Sequence, residues 1–131
     1  MTDTIFSKII KREIPAEIIY EDEHTIVLPD KFPSMEGQVL VVTKRPVAYI
    51  FDLDDAEYRA LMDTTKKVAH ALDKAFATLR TCAVIEGFEV PHVHIRLYPC
   101  TTPTLTLSPR REAADEELEI IADKTRSALT P

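Results

Sequence analysis

Val90-Pro91-His92-Val93-His94-Ile95-Arg96-Leu97-Tyr98 is the stretch on which the reading of this chain turns. Successive side chains of a β-strand point to opposite faces. The odd positions Val93, Ile95 and Leu97 are apolar and belong on a core, whereas the even positions His92, His94, Arg96 and Tyr98 share the other face. Neighbours on that face lie roughly 7 Å apart along the strand. Two imidazoles and a guanidinium in register are not routine core filling. Pro91 and Pro99 bracket the stretch, which predicts an edge position or the two ends of a strand.

Working upstream, residues 81–85 are almost wholly apolar and predict a strand covered on both sides, parted from the first stretch at Glu86-Gly87. Residues 53–76 predict a long helix. Apolar or small residues at 58, 61, 62, 65, 68, 69, 72, 75 and 76 form one stripe, and Asp54 with Glu57 three residues later resembles a capping box. Residues 38–43, with Val-Leu-Val-Val at their centre, predict a strand after the turn-rich loop 29–37. Residues 17–20 and 25–28 predict two short strands around the polar turn 21–24, and residues 5–11 a short helix. Downstream, residues 100–107 are polar and rich in Thr and Pro. Ser108-Pro109 then offers an N-cap and an N1 proline for a helix over 108–128. Five strands, one long helix and short terminal helices predict a single α+β domain over residues 1–131 with a mainly antiparallel five-stranded sheet.

The totals agree with that class and narrow the partners. A chain of 131 residues suffices for one core. A formal charge of −6 supplies no basic excess to displace counterions from a nucleic-acid polymer. It says nothing against a small phosphorylated ligand, which needs only one local cluster of donors. Two cysteines, Cys82 and Cys100, make no disulfide framework and no CxxC pair. Neither a signal peptide nor an apolar run of about 20 residues is visible, so the expectation is a cytoplasmic protein without membrane contact.

Three readings of the 92–94–96 face follow from its chemistry. Each histidine could be a satisfied, half-buried residue. His92 and His94 at i and i+2 could share a metal ion, although Arg96 cannot ligate and repels cations. Or the face could be an anion site, because imidazoles and a permanent guanidinium suit phosphate oxygens. A neutral imidazole whose other nitrogen is held by a hydrogen bond can also attack phosphorus.

The run Gly87-Phe88-Glu89-Val90-Pro91-His92-Val93-His94-Ile95-Arg96-Leu97-Tyr98-Pro99 resembles the motif of the histidine-triad family of nucleotidyl hydrolases and transferases: three histidines separated by single apolar residues, then two apolar residues. Thr4-Ile5-Phe6-Ser7-Lys8-Ile9-Ile10, Glu13-Ile14-Pro15-Ala16, Tyr20-Glu21-Asp22 and residues 37–44 are similar to the family's opening helix, first hairpin and next strand, so the likeness spans about residues 3–99. It implies a homodimer whose sheets join, with a purine nucleotide or nucleotide conjugate beside each triad strand and no cofactor. By position, Ile5, Phe6, Ile14 and Leu28 resemble the apolar base pocket, although they could equally be plain core. Asp30 resembles the carboxylate that accepts hydrogen bonds from the ribose hydroxyls, a role for which its lone pairs suit it. His94 matches the nucleophile, His92 the histidine that orients it, and Arg96 stands where the third histidine belongs.

The departures from the family matter. An arginine, with a pKa above about 12, does not serve as a general acid near neutral pH, though its fork stabilises phosphate charge. Protonating a leaving group contributes typically 10²–10⁴-fold. Phosphoramidate cleavage should therefore suffer more than cleavage of a dinucleoside polyphosphate, whose leaving group is stable as an anion. Gln38 stands where the family commonly has another histidine, and Glu89 would repel phosphate if it faced the site. Thr4 and Ser7 stand where some bacterial members carry zinc-binding cysteines, so no metal site is implied. Residues 81–85 offer no counterpart to the asparagine that many members use near the phosphate. Two functions fit: a hydrolase or transferase working through a nucleotidyl-histidine on His94, or a catalytically weakened nucleotide-binding or scaffolding protein.

Overall fold

Four β-branched residues, Val39, Val41, Val42 and Thr43, commit residues 39–43 to a strand that is buried throughout, and the sheet is built around it. The computed structural model describes residues 3–129. In chain order it contains α1 (Ile5–Ile10), β1 (Tyr20–Glu21), β2 (Thr25–Pro29), β3 (Val39–Thr43), a 3-10 turn (Ile50–Asp52), α2 (Asp55–Phe76), β4 (Arg80–Val84), β5 (His94–Cys100) and α3 (Asp115–Ala128). The strands form one antiparallel sheet in the order β1-β2-β3-β5-β4.

Each face of the sheet has its own cover. Val27, Val39, Val41, Ile95 and Leu97 pack under Leu61, Val68 and Leu72 of α2 and Ile121 and Ala122 of α3. On the other face Ile26, Leu28, Leu40 and Val42 lie against Phe6 and Ile9 of α1. A helix of six residues covers only part of that face. Cross-strand partners point the same way, so the pairings Val42↔His94 and Leu40↔Arg96 put the His94 and Arg96 side chains on the α1 side. Gly37, at φ +84°, makes the turn into β3. A Cβ there would sit 2.8 Å from Pro99 Cγ and 2.9 Å from Phe76 Cζ, so the position needs glycine for space as well as for φ.

Several sequence expectations are corrected. The strand expected over 90–98 begins only at His94 and runs to Cys100. Pro91 has no N–H to give a ladder. The His92 N–H turns back to the Val90 carbonyl at 2.8 Å, and the Val93 N–H is used by Val47 at 2.8 Å. Pro99 lies inside β5, an interior strand, but its pairing with β3 has already ended at Val39↔Leu97, so the missing N–H breaks no bond on that side. The strand β4 is not covered on both sides: it is the sheet edge, with Arg80 and Ala83 exposed. On α2 the capping box forms as read, but Tyr58 and Met62 are exposed while Thr64 and Ala71 are buried, a stripe rotated from the expected one. The helix α3 starts at Asp115, not 108. Residues 110–113 stay out of the helix because the Arg111 and Ala113 N–H groups bond the Pro33 and Lys31 carbonyls at 3.0 and 2.8 Å. Cys82 and Cys100 are free thiols with sulfurs 3.8 Å apart. No described helix is long and apolar enough to cross a membrane.

Candidate active site

The site is assembled from the first turn of α1, the loop before β5 and β5 itself. Thr4 is the N-cap of α1. It accepts from the Ser7 N–H at 3.1 Å, and the Thr4 N–H donates to Ser7 Oγ at 2.7 Å, a closed capping box. Ser7 sends its own proton to the Thr4 carbonyl at 3.0 Å. The Thr4 hydroxyl proton is thereby free for His92 Nδ1, 2.7 Å away. On the other side of the ring, His92 Nε2 lies 2.7 Å from the Thr43 carbonyl, which can only accept, so Nε2 carries the proton and Nδ1 the lone pair. His92 is wholly buried, edge-on to the Phe6 ring. Neither of its nitrogens is left for a metal. Among the described residues no group of three or more His, Cys, Asp or Glu side chains converges to hold one.

His92 in turn fixes His94. Its carbonyl oxygen lies 2.6 Å from His94 Nδ1, which must therefore be the protonated nitrogen. That tautomer leaves a lone pair on His94 Nε2, which has no hydrogen-bond partner among the described residues. Burial pushes the His94 pKa below its ordinary 6.5 and the Arg96 charge adds to the effect, against the His92 carbonyl, Glu86 and Asp30. His92 is lowered too, chiefly by burial. Both rings are neutral near pH 7. A neutral imidazole with an oriented, unshared lone pair is a competent nucleophile.

Beside these rings lies a cavity of about 690 Å³. Ile5, Phe6, Ile14, Leu28, Asp30 and Arg96 all line it. The apolar members are thus both core and wall: Phe6 and Leu28 are buried, Ile14 half-buried and Ile5 exposed. His92 and His94 do not line this cavity. His94 opens on a smaller one of about 310 Å³ with Tyr49, Glu86 and Gly87, and the Phe6 ring, which lines the large cavity, lies 4.9 Å from the His94 ring. Asp30 is held in place from two sides. Its Oδ1 accepts from the Phe32 N–H at 2.9 Å and its Oδ2 from Gln38 Nε2. Gln38 is itself buried and accepts from the Ser34 N–H at 3.0 Å. In this chain Gln38 positions the carboxylate.

Arg96 is mostly buried, with carboxylates at 3.9 Å (Asp30) and 3.7 Å (Glu86), both beyond hydrogen-bond reach. Its Nε–H has no partner among the described residues. A buried, unpartnered guanidinium donor is costly and favours an incoming anion. Two contributors were not found from sequence. Thr4 sits 88 positions from the ring it holds, and no pattern links them. Arg110 also lines the cavity and bonds Glu89 at 2.9 Å, so the Glu89 charge faces the site but is paired. Arg110 falls in the first turn of the helix expected over 108–128, and that turn does not form: α3 begins at Asp115.

The HIT domain family model matches residues 11–101. An uncharacterized HIT-like protein of Synechococcus elongatus is 38% identical over 101 residues, covering 72% of this chain and 88% of that protein. Adenosine 5'-monophosphoramidase HNT1 of Saccharomyces cerevisiae is 33% identical over 96 residues, 72% of this chain and 61% of that one. The crystal structure of a Hit-like protein involved in cell-cycle regulation from Bartonella henselae aligns with a TM-score of 0.89 at 27% identity, covering 96% of each chain.

Proposed function

Since this chain belongs to the HIT domain family, we propose that it is a nucleotidyl hydrolase or transferase acting on the α-phosphate of purine nucleotide conjugates, with His94 as nucleophile. The observation that carries the reading is the His94 tautomer: Nδ1–H is committed to the His92 carbonyl at 2.6 Å, and Nε2 keeps its lone pair.

In the first step Nε2 attacks phosphorus, the P–N bond forms, and the bond to the leaving group breaks with its electron pair. In the second, water attacks the same phosphorus, returns the electron pair to Nε2 and loses its proton to solvent. His92 positions the nucleophile through its carbonyl. Arg96 binds the phosphate charge that grows in both steps. Ile5, Phe6, Ile14 and Leu28 supply the base pocket, and Asp30 accepts from the ribose. Arg96 gives the leaving group no proton, so dinucleoside polyphosphates should turn over faster than phosphoramidates.

The test is incubation with both substrate classes, following nucleoside monophosphate release and trapping a labelled histidine. His94→Ala should abolish both signals; undiminished release would refute the mechanism. A second reading, a nucleotide-binding protein with little or no turnover, is favoured by Arg96 at the third position. It predicts monophosphate binding without turnover, and new activity in Arg96→His. The proposal includes a homodimer joined at β4, an exposed edge strand of five residues. A single-chain mass by light scattering would remove that part.

A further inference from the structure

Beyond the family match, the chain contributes Arg110 and the α3 residues Asp115, Leu118 and Glu119 to the lining of the large cavity. Residues 101–114 form neither helix nor strand between β5 and α3. They are nevertheless anchored, by the Arg111 and Ala113 backbone bonds to residues 33 and 31 and by burial of the Ala113 side chain. This anchorage sets Arg110 in the lining of the cavity that Arg96 also lines. Arg110 Nη2 donates to Glu89 Oε1 at 2.9 Å, and Glu89 lines the cavity as well.

We propose that Arg110 is a specificity-determining residue that binds an anionic phosphate-chain leaving group, and that Glu89 is the carboxylate it exchanges for that chain. This rests on the nucleotide site proposed above. The first support is position. Arg96 follows His94 by two residues on β5, so it serves the phosphorus that His94 attacks. Arg110 arrives from a separate segment. A second fixed positive charge in that lining suits a substrate that carries further phosphates. An amine leaving group, neutral or cationic, gains nothing from it.

The second support is the state of Glu89. The hydrogen bond and charge of Arg110 hold its carboxyl below the ordinary range, with a smaller attraction from Arg96, so it stays ionised at neutral pH. It is an internal anion within reach of the cations a phosphate chain would use. Its side chain is 60% exposed. Ion pairs this open to water hold weakly, whereas guanidinium–phosphate pairs are frequently bidentate and strong. Exchange of Glu89 for phosphate is therefore favourable, and the freed carboxylate returns to solvent.

The third support is agreement with Arg96. A site that cannot protonate its leaving group works best on groups that depart as anions. Arg110 would stabilise such a group by charge alone.

The experiment measures binding by calorimetry in a His94→Ala background, which blocks turnover, with AMP and diadenosine tetraphosphate as ligands. Arg110→Gln should weaken the tetraphosphate about tenfold or more and AMP less than about twofold. Glu89→Gln should tighten the tetraphosphate, and that gain should vanish when Arg110→Gln is added, because the competition acts through Arg110. Equal weakening of both ligands, or of neither, overturns the assignment of Arg110. A Glu89→Gln gain that persists without Arg110 overturns the exchange. Failure of AMP to bind the parent protein overturns the proposed function itself, and this inference with it.

Discussion

Thr4→Val tests the chain of contacts that runs from a helix cap to the buried His92 ring. Valine matches threonine in shape but loses the hydroxyl, which serves two roles here. It accepts from the Ser7 N–H as the N-cap of α1, and losing such a cap typically costs about 1 kcal/mol. It also donates to His92 Nδ1, in a ring that is fully buried. Leaving that acceptor unsatisfied costs about 1–3 kcal/mol. The sum is about 2–4 kcal/mol, a large share of the 5–15 kcal/mol typical of a domain. Urea unfolding should show the loss as a lower midpoint at unchanged slope. Thr4→Ser keeps both roles and should lose less than about 1 kcal/mol. A double-mutant cycle with His92→Leu should return a coupling energy of about 1 kcal/mol or more. A Thr4→Val loss below about 0.5 kcal/mol, or a cycle with no coupling, would refute the argument that the cap organises His92.

Acidification should destabilise the protein through His92 and His94. Both pKa values are depressed on folding, so the unfolded chain binds more protons as pH falls below the ordinary 6.5. Stability should be full above that value and decline below it, by at most about 1.4 kcal/mol per pH unit for each ring. Denaturant titrations from pH 7.5 downward would check this, and removing both rings should flatten the slope. Glu57, held at about 2 by its bonds to Arg45, acts in a lower window: its contribution is present above 4.5 and disappears as pH falls through about 2. Glu57→Gln should erase that limb of the acid-unfolding curve. Gly37→Ala should cost more than about 1 kcal/mol, since it combines a positive φ with contacts under 3.0 Å to Pro99 and Phe76; a neutral result would mean that the turn can shift.

How much was legible in the sequence follows the range of the interactions. Strand and helix periods are local, so α2 with its capping box, β3 and the antiparallel α+β class could all be read directly. The segment 92–96 was legible as a cluster of residue types, but the reason for its geometry was not. Alternation predicted His92, His94 and Arg96 on one strand face. The strand begins only at His94, and His92 reaches its place through Thr4 and Thr43, residues 88 and 49 positions away. Ile5, Phe6, Ile14 and Leu28 could not be divided between core and cavity wall, because a six-residue helix over a wider sheet makes them both.

Residue identity alone determined that this chain carries two imidazoles and a guanidinium in one segment, with apolar residues between them to bury it. Tertiary structure decided which nitrogen of each ring holds the proton, that Gln38 holds Asp30, and that Arg110 meets Glu89 over the cavity. Those outcomes depend on hydrogen bonds between distant segments, whose partners are fixed only when the sheet, its register and the 101–114 strap are in place.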